Sequence, residues 1–245
     1  MYSLIVGLGT MPPPSVNAFN ESICSPAQVT TNIPTESSQS YPNRAIHPDF
    51  NLDIRGFVKS SHATRSTIRP HPEEYVDPHV PDLTTILDHP LVIKDVYRVF
   101  DWNWTANKKG DLLPDSTLVS VSTLPNEPIH APSIGYTLGG VYKYLVIYAD
   151  TNQVVINSTR NGDVTSGYTL HLKNLQVDNQ LLTSYHQLES TGGKQLPAIT
   201  AATVLGCASS QPLLLAIRDT GTFMPVTDPN DWGFNPIFLS PLNRP

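Results

Sequence analysis

From about Val92 onward, apolar and polar residues alternate over short runs, which is the pattern of half-buried β-strands. Turn-forming residues separate the runs at 126–128, 150–152 and 161–163. Many short strands joined by tight turns predict an all-β sandwich or barrel. The predicted strands are Asp95–Phe100, Thr117–Thr123, Tyr142–Tyr148, Gln153–Ser158, Ser166–Leu172, Thr200–Gly206 and Pro212–Arg218.

One short helix interrupts the predicted strands. Asp178 is a suitable N-cap, because its side chain can accept hydrogen bonds from the first backbone N–H groups. The pair Gly192 and Gly193 is expected to end the helix. The residues of its predicted apolar face are Leu181, Leu182, Tyr185 and Leu188.

The N-terminal part of the chain has a different pattern. Residues 1–50 are rich in Pro, Ser, Thr and Asn, cannot bury a core of their own, and predict an extended arm. Residues 51–92 contain one alternating run, Leu52–Val58, which predicts a strand, followed by an irregular segment rich in Pro and His. Residues 93–245 form the predicted β-rich domain. The sequence therefore predicts one β domain that carries an arm and an irregular connection.

Composition narrows the classes of function. Of 245 residues, 23 are Pro and 14 are Gly, and only 15% are charged, which favours strands and turns over a helical bundle. The net charge of −6 is unlike that of a nucleic-acid-binding protein, so we expect no nucleic-acid partner. No apolar run approaches the roughly 18 residues of a membrane-spanning helix, so we expect no membrane span. The low content of cysteine and lysine is compatible with an extracellular or cell-surface protein.

The two cysteines, Cys24 and Cys207, leave two alternatives open. A disulfide between them would tether the arm to the β domain, whereas two separately buried thiols would not. Cys207 could act as a nucleophile only if His171 or His186 lay beside it as a base. A cysteine at the end of a strand is more often a small buried hydrophobic residue.

Three segments of the β-rich region follow one another as Tyr97–Asp101, Tyr168–Leu172 and Leu213–Arg218. In order and approximate spacing they resemble the lysostaphin-type zinc peptidoglycan endopeptidases. Those enzymes carry a His-x-x-x-Asp motif, an aromatic-x-His-Leu stretch, and a His-x-His motif before a strand that ends in Ile-Arg. The resemblance covers residues 97 to about 229 and implies the β-barrel of those peptidases. The later run 218–224 also resembles uncharacterised secreted bacterial proteins.

Taken position by position, the resemblance implies a zinc site that has lost its ligands. The three ligand positions fall on Tyr97, Asp101 and Leu214, and of these only the carboxylate suits zinc. The two assisting positions fall on Pro212 and His171. With one ligand of three left, the scaffold cannot activate a water molecule for hydrolysis. We therefore expect a protein that is not an enzyme and that needs no metal or other cofactor.

The expected function is that of a non-catalytic extracellular structural or binding protein on a degenerate peptidase-like scaffold. The arm, residues 1–50, would join copies of the chain into a filament or a surface layer. Two alternatives remain. One is an active zinc endopeptidase of the cell wall with substitute ligands, and the other is a module that binds peptidoglycan or another cell-wall glycan or peptide.

A possible ligand groove lies around Trp102, Trp104 and His171, because two indoles beside a carboxylate can stack on sugar rings. Alternation along a strand places both tryptophans on one side, so the alternative is a shared core face. A metal clip among histidines with prolines nearby is chemically possible, although such turns also hold solvated histidines. These histidines are His47, His71, His79 and His89, with Asp77, Asp82 and Asp88 among them.

Overall fold

The computed structural model shows an all-β protein with antiparallel sheets, which confirms the predicted fold class. It describes residues 31–34, 43–60, 77–115, 117–159, 163–192 and 194–226, with the backbone alone for residues 31–34. In this part of the chain the α-helices are α1 (Leu52–Arg55) and α2 (Asn179–Ser190). The strands are β1 Thr31–Pro34, β2 Phe57–Lys59, β3 Ile93–Asn103, β4 Lys108–Leu112, β5 Leu118–Val121, β6 Pro128–His130, β7 Tyr142–Ala149, β8 Gln153–Ser158, β9 Tyr168–Lys173, β10 Leu175–Val177, β11 Gln195–Thr200, β12 Val204–Ala208, β13 Leu213–Asp219 and β14 Thr222–Phe223.

The strands form one large sheet and one small sheet. The large sheet has the order β1-β11-β7-β8-β9-β13-β5-β3-β2, with β14 paired to β13 and β4 paired to β3. The small sheet has the order β10-β12-β6. The N-terminal strand β1 therefore lies at one end of the strand order, next to a strand that comes late in the sequence.

The strand β13 shows how the two faces of the large sheet differ. Three alternate residues point to one face and are fully buried in the main core, and we call this the apolar face. Three residues that alternate with these point to the opposite face. The first set is Leu213, Leu215 and Ile217, and the second is Leu214, Ala216 and Arg218.

The opposite face is crossed by a row of four residues on four neighbouring strands. The register places His171 of β9 beside Ala216 of β13. Ala216 lies beside Leu118 of β5, and Leu118 lies beside Tyr97 of β3. Leu52 of α1 packs in the same small apolar cluster as Leu118 and Ala216. This face is therefore covered by the segment that contains α1, residues 43–56, which we call the strap; the covered side is the strap face.

The helix α2 agrees with its prediction. The Asp178 carboxylate accepts hydrogen bonds from the backbone N–H groups of Gln180 and Leu181, both at 2.9 Å. The helix ends at Ser190, two residues before the glycine pair expected to stop it, because the Thr191 N–H turns back to the carbonyl of Leu188. The buried residues of its face are Leu181, Tyr185 and Leu188.

The prediction of a strand at Leu52–Val58 is wrong. The Asn51 side chain accepts a hydrogen bond from the Asp53 N–H at 2.9 Å and starts α1, and Gly56, with a φ of 79°, ends it. The strand β2 begins only at Phe57. Alternation of apolar and polar residues favours a strand here, but the capping residues on both sides make the segment a helix.

The strap belongs to the packed body of the protein. Phe50 is buried in the main core, and Leu52 is buried in the smaller cluster on the strap face. The predicted boundary at residue 50 thus falls between Phe50 and Leu52, which are both buried in the folded protein. Of the predicted arm, residues 1–30 and 35–42 lie outside the described residues. None of the described helices is long and apolar enough to cross a membrane.

Candidate functional site

Polar contacts fix the middle of the strap on the strap face. The Lys173 ammonium donates to the Asp53 carboxylate at 2.8 Å. Next to it, the Gln153 amide donates to the Asn51 side-chain oxygen at 3.2 Å. Lys173 and Gln153 are directly opposite each other on β9 and β8. These two neighbouring polar side chains of the sheet therefore each bind a polar side chain of the strap.

Two buried arginines, one from the strap and one from β13, contact the same carboxylate of the strap. The Arg55 guanidinium donates to Asp49 Oδ1 at 2.8 Å, and Nη2 of Arg218 lies 2.9 Å from the same oxygen. The side chains of Arg55 and Arg218 are only 5% and 7% exposed. Both guanidiniums also lie over the Phe223 ring, at 5.0 and 5.1 Å from its centroid. The Asp49 carboxylate therefore offsets part of the positive charge of the two buried guanidiniums.

His171 lies below Phe223 and is fully buried. Its ring stacks on the Phe223 ring with 5.6 Å between centroids, and among the described residues neither ring nitrogen has a hydrogen-bond partner. Burial, with a further contribution from the nearby Arg218 and Arg55, holds the pKa of His171 well below its ordinary value. The imidazole is therefore neutral, and it costs the fold free energy because a buried polar group without a partner is unfavourable.

Of the positions that the resemblance assigns to the zinc site, Tyr97 and Leu214 belong to the same small apolar cluster, and the others lie around it. Tyr97 and His171 lie in one row but are three strand spacings apart, which is about 14 Å. Leu214 is buried between these strands in the smaller apolar cluster. The Asp101 side chain is 65% exposed and lies 3.7 Å from Nη1 of Arg55. Pro212 immediately precedes β13, and its carbonyl accepts from the Asn174 amide at 3.0 Å.

The described histidines do not share a metal site. Nδ1 of His79 contacts Asp77 Oδ1 at 2.9 Å, and Nε2 of His89 lies 2.9 Å from Glu127 Oε2. His47 packs its ring against Phe50 and Trp104. Among the residues that the structure describes, no group of three or more His, Cys, Asp or Glu side chains is arranged to hold a metal ion. His71 lies outside the described residues.

Cys207 takes part in a disulfide, which removes it as a nucleophile because a bonded sulfur cannot form a thiolate. Cys24 lies outside the described residues, so the predicted pairing of these two cysteines stays a prediction. Cys207 is opposite Gln176 in the small sheet. A polar cleft of about 540 Å³, lined among others by Gln176, Ser209 and Pro212, lies beside it.

A second cleft, of about 600 Å³, opens next to the arginine pair. We call it the Trp104 cleft. Its lining includes both arginines, Asp49, Asp101, Trp104 and the turn 220–222. The volume lies within the range of about 300–1,000 Å³ typical of small-molecule sites.

Of the three residues of the predicted groove, only Trp104 lines this cleft. It is 56% exposed, whereas Trp102 is half-buried and does not line the cleft, and His171 lies beneath Phe223. The alternative prediction of a core face shared by both tryptophans is wrong. The strand β3 ends at Asn103, so alternation no longer governs the direction of the next side chain.

Sequence reasoning missed Asp49, Arg55 and Phe223, which hold this region together. Arg218 lies in the Ile-Arg motif, but nothing near it in sequence points to Asp49 or Arg55. Asp49 and Arg55 come from a segment more than 160 residues away from Arg218. Searches against family models, curated proteins and solved structures found no match for this chain.

Proposed function

We propose that this chain is a non-catalytic extracellular structural or binding protein, on a scaffold similar to a zinc peptidase that has lost its ligands, and that it assembles through its N-terminal segment. The observation that carries the proposal is the strand β1. All four of its residues pair with β11, from Thr31 opposite Ala198 to Pro34 opposite Gln195. A segment that precedes the body of the protein thus adds a strand to the sheet.

The strand β1 is suited to exchange between copies of the chain. Pairing at a sheet edge relies on main-chain hydrogen bonds, which the same segment can make with its own β11 or with β11 of a neighbour. If every copy donates β1 to the next, the contact is head-to-tail and produces an open polymer unless the ring closes. Such a polymer corresponds to the expected filament or surface layer.

The strap face supports the absence of catalysis. Its surface holds Leu214 and Ala216 under Leu52 and Phe223, so apolar side chains fill the position where a hydrolase would need a bound water and its ligands. The remaining carboxylate, Asp101, faces solvent beside Arg55, and a nearby guanidinium opposes the binding of a cation.

A pair of cysteines tests the proposed exchange of β1. In the variant Pro34→Cys with Gln195→Cys, the two new thiols lie opposite each other in the β1–β11 pairing, and Gln195 is exposed. Mild oxidation of the full chain should give a ladder of covalent oligomers on a non-reducing denaturing gel. The matched controls are the two single variants, which should give no ladder.

Two other outcomes would count against the proposal. A product that contains only internally cross-linked monomer, at every protein concentration, would show that β1 pairs with its own chain and that assembly by exchange does not occur. A monomer by light scattering that cannot be cross-linked at all would also contradict the β1–β11 contact itself.

A further inference from the structure

The Trp104 cleft combines an exposed aromatic ring with a polar rim. The Trp104 ring lies 5.6 Å from the His47 ring, which supports one side of the indole, while more than half of the side chain faces solvent. An exposed indole at the mouth of a cleft is an amphipathic surface, with an apolar ring face and one N–H donor. Sugar rings present C–H groups on one face, and these pack on an indole in this way.

The rim supplies hydrogen-bonding groups that suit hydroxyl groups of a ligand. The Asp101 carboxylate is exposed. One of its oxygens accepts a hydrogen bond from the backbone N–H of Trp102 at 2.8 Å, and its other oxygen takes no part in that bond. Thr220 and Thr222 flank Gly221 in the turn between β13 and β14, and both are exposed. Carboxylates and hydroxyls are acceptors and donors for ligand hydroxyls.

The turn that carries these threonines is rigidly placed. Thr220 and Gly221 have φ values of 44° and 85°, which are the left-handed conformations of a two-residue type I′ hairpin. The Gly221 carbonyl accepts from Nε of Arg218 at 3.1 Å, so the buried arginine holds the turn against the sheet. A preformed rim lowers the entropic cost of binding.

The charges around the cleft favour a neutral ligand. Arg55 and Arg218 already share the Asp49 carboxylate, and Asp101 adds a second negative group, so two positive and two negative side chains line the cleft. An anion would have to compete with Asp49 for the guanidiniums, and a cation would meet two arginines. A neutral polyhydroxyl compound faces neither penalty.

From this geometry we infer that the Trp104 cleft binds a neutral carbohydrate, with a sugar ring on the Trp104 indole and its hydroxyl groups on Asp101 and the 220–222 turn. The inference deepens the binding role of the proposed function without depending on β1. The cleft is formed at the β13–β3 part of the large sheet, and the β1–β11 pairing lies at the other end of the strand order.

The test is equilibrium binding of defined tetrasaccharides to the full chain. The neutral probes are cellotetraose, xylotetraose and the tetramer of N-acetylglucosamine, followed by ligand-observed NMR and by tryptophan fluorescence. We expect at least one of them to bind with a Kd of about 1 mM or tighter. The charged probes are the tetramers of galacturonic acid and glucosamine, and we expect each to bind more weakly than the best neutral probe.

Variants identify the site. Trp104→Ala should weaken binding at least about tenfold, whereas Trp104→Phe, which keeps an aromatic ring, should stay within about threefold of the original chain. Asp101→Asn should weaken binding about threefold to tenfold, because a charged acceptor makes the stronger hydrogen bond. Val141→Ala is the control, since it shortens another apolar side chain that is 67% exposed and outside the cleft; it should leave binding unchanged.

Three results would overturn the inference. The first is no detectable binding of any neutral probe at concentrations several times 1 mM. The second is neutral-probe binding that survives Trp104→Ala. The third is tighter binding of the galacturonic acid tetramer than of every neutral probe, which would mean that the arginines, and not the indole and the hydroxyl groups, select the ligand. The outcome of the oxidation assay for β1 does not depend on any of these results, so a failure of this inference can be told apart from a failure of the proposed assembly.

Discussion

The two faces of the large sheet are stabilised by different kinds of contact. On the apolar face, side chains such as Leu215 and Ile217 of β13 pack against neighbours from adjacent strands and need no specific partner. On the strap face, Lys173, Gln153 and Arg218 each have a defined polar partner from the strap. The apolar face thus depends on volume and burial, whereas the strap face depends on the position of a segment from a distant part of the chain.

The comparison also bears on the resemblance of the strap-face segments to a zinc peptidase. Polar residues on a buried sheet face are costly unless they are paired. In a hydrolase the pairing partner would be a metal and substrate; here the strap supplies it. His171 is the exception, because it has no partner among the described residues and stays neutral under Phe223.

The largest effect is expected on the apolar face. Leu215 is fully buried between Leu172 and Val119, so Leu215→Ala should lower the free energy of unfolding by about 3 kcal/mol through lost burial and the cavity left behind. Denaturant unfolding at neutral pH measures this loss. Leu124→Ala is the control, because that side chain is exposed and should change stability by less than about 0.5 kcal/mol. Equal losses in both variants would contradict the assignment of the core.

On the strap face, the most damaging change should be Asp49→Asn. It removes the charge that offsets both Arg55 and Arg218, whose side chains are almost completely buried. We expect a loss of about 2 kcal/mol, below the full cost of breaking a buried ion pair because the Asp49 side chain keeps 22% of its surface exposed. A loss under about 0.5 kcal/mol in denaturant unfolding would mean that the arginine pair does not need this carboxylate.

Much of the apolar face could be predicted from sequence, and the strap face could not. The sequence predicts β8 with its observed bounds, Gln153–Ser158, because buried strands carry a local signal. The strand β11 is not among the predicted strands, and it contains Pro197, a residue that is unfavourable inside a strand. The strap was assigned wrongly at Leu52–Val58, and its partners, Gln153 and Lys173, are about 100 residues or more away. Pairing across such separations leaves no local pattern.

The pH dependence of stability should distinguish the two faces as well. Burial lowers the pKa of His171 in the folded state, so its contribution to stability is present above the unfolded pKa of about 6.5 and falls as the pH drops below it. The slope from this group is at most about 1.4 kcal/mol per pH unit. His171→Leu should remove that part of the slope between pH 6.5 and pH 5, as measured by unfolding at several pH values.

A second histidine contributes to the pH dependence in the same direction. Burial, the largest cause, also lowers the pKa of His47, so a smaller slope should remain in the His171→Leu variant. Leu124→Ala, at an exposed side chain that does not titrate, is the control and should leave the pH profile unchanged. An identical slope in the original chain and in the His171→Leu variant would mean that His171 is not held neutral by burial.

The smallest effect is expected at the polar contact nearest to solvent. Asp53 accepts from Lys173, and its side chain is 55% exposed. Asp53→Asn should cost less than about 1 kcal/mol, because an amide oxygen still accepts a hydrogen bond and an exposed charge is well screened. Unfolding at low and high salt measures this. A loss as large as that of Asp49→Asn would show that the Asp53–Lys173 contact contributes as much to the stability of the strap face as the Asp49–arginine cluster does.

The zinc content of the purified full chain after exhaustive dialysis tests the central claim most directly. That claim is that apolar side chains and the strap have closed the face where a zinc peptidase would hold its metal. The account predicts zinc far below one equivalent per chain, and no gain on incubation with zinc followed by dialysis. About one zinc ion per chain that resists dialysis, and that is lost in the Asp101→Ala variant, would contradict it.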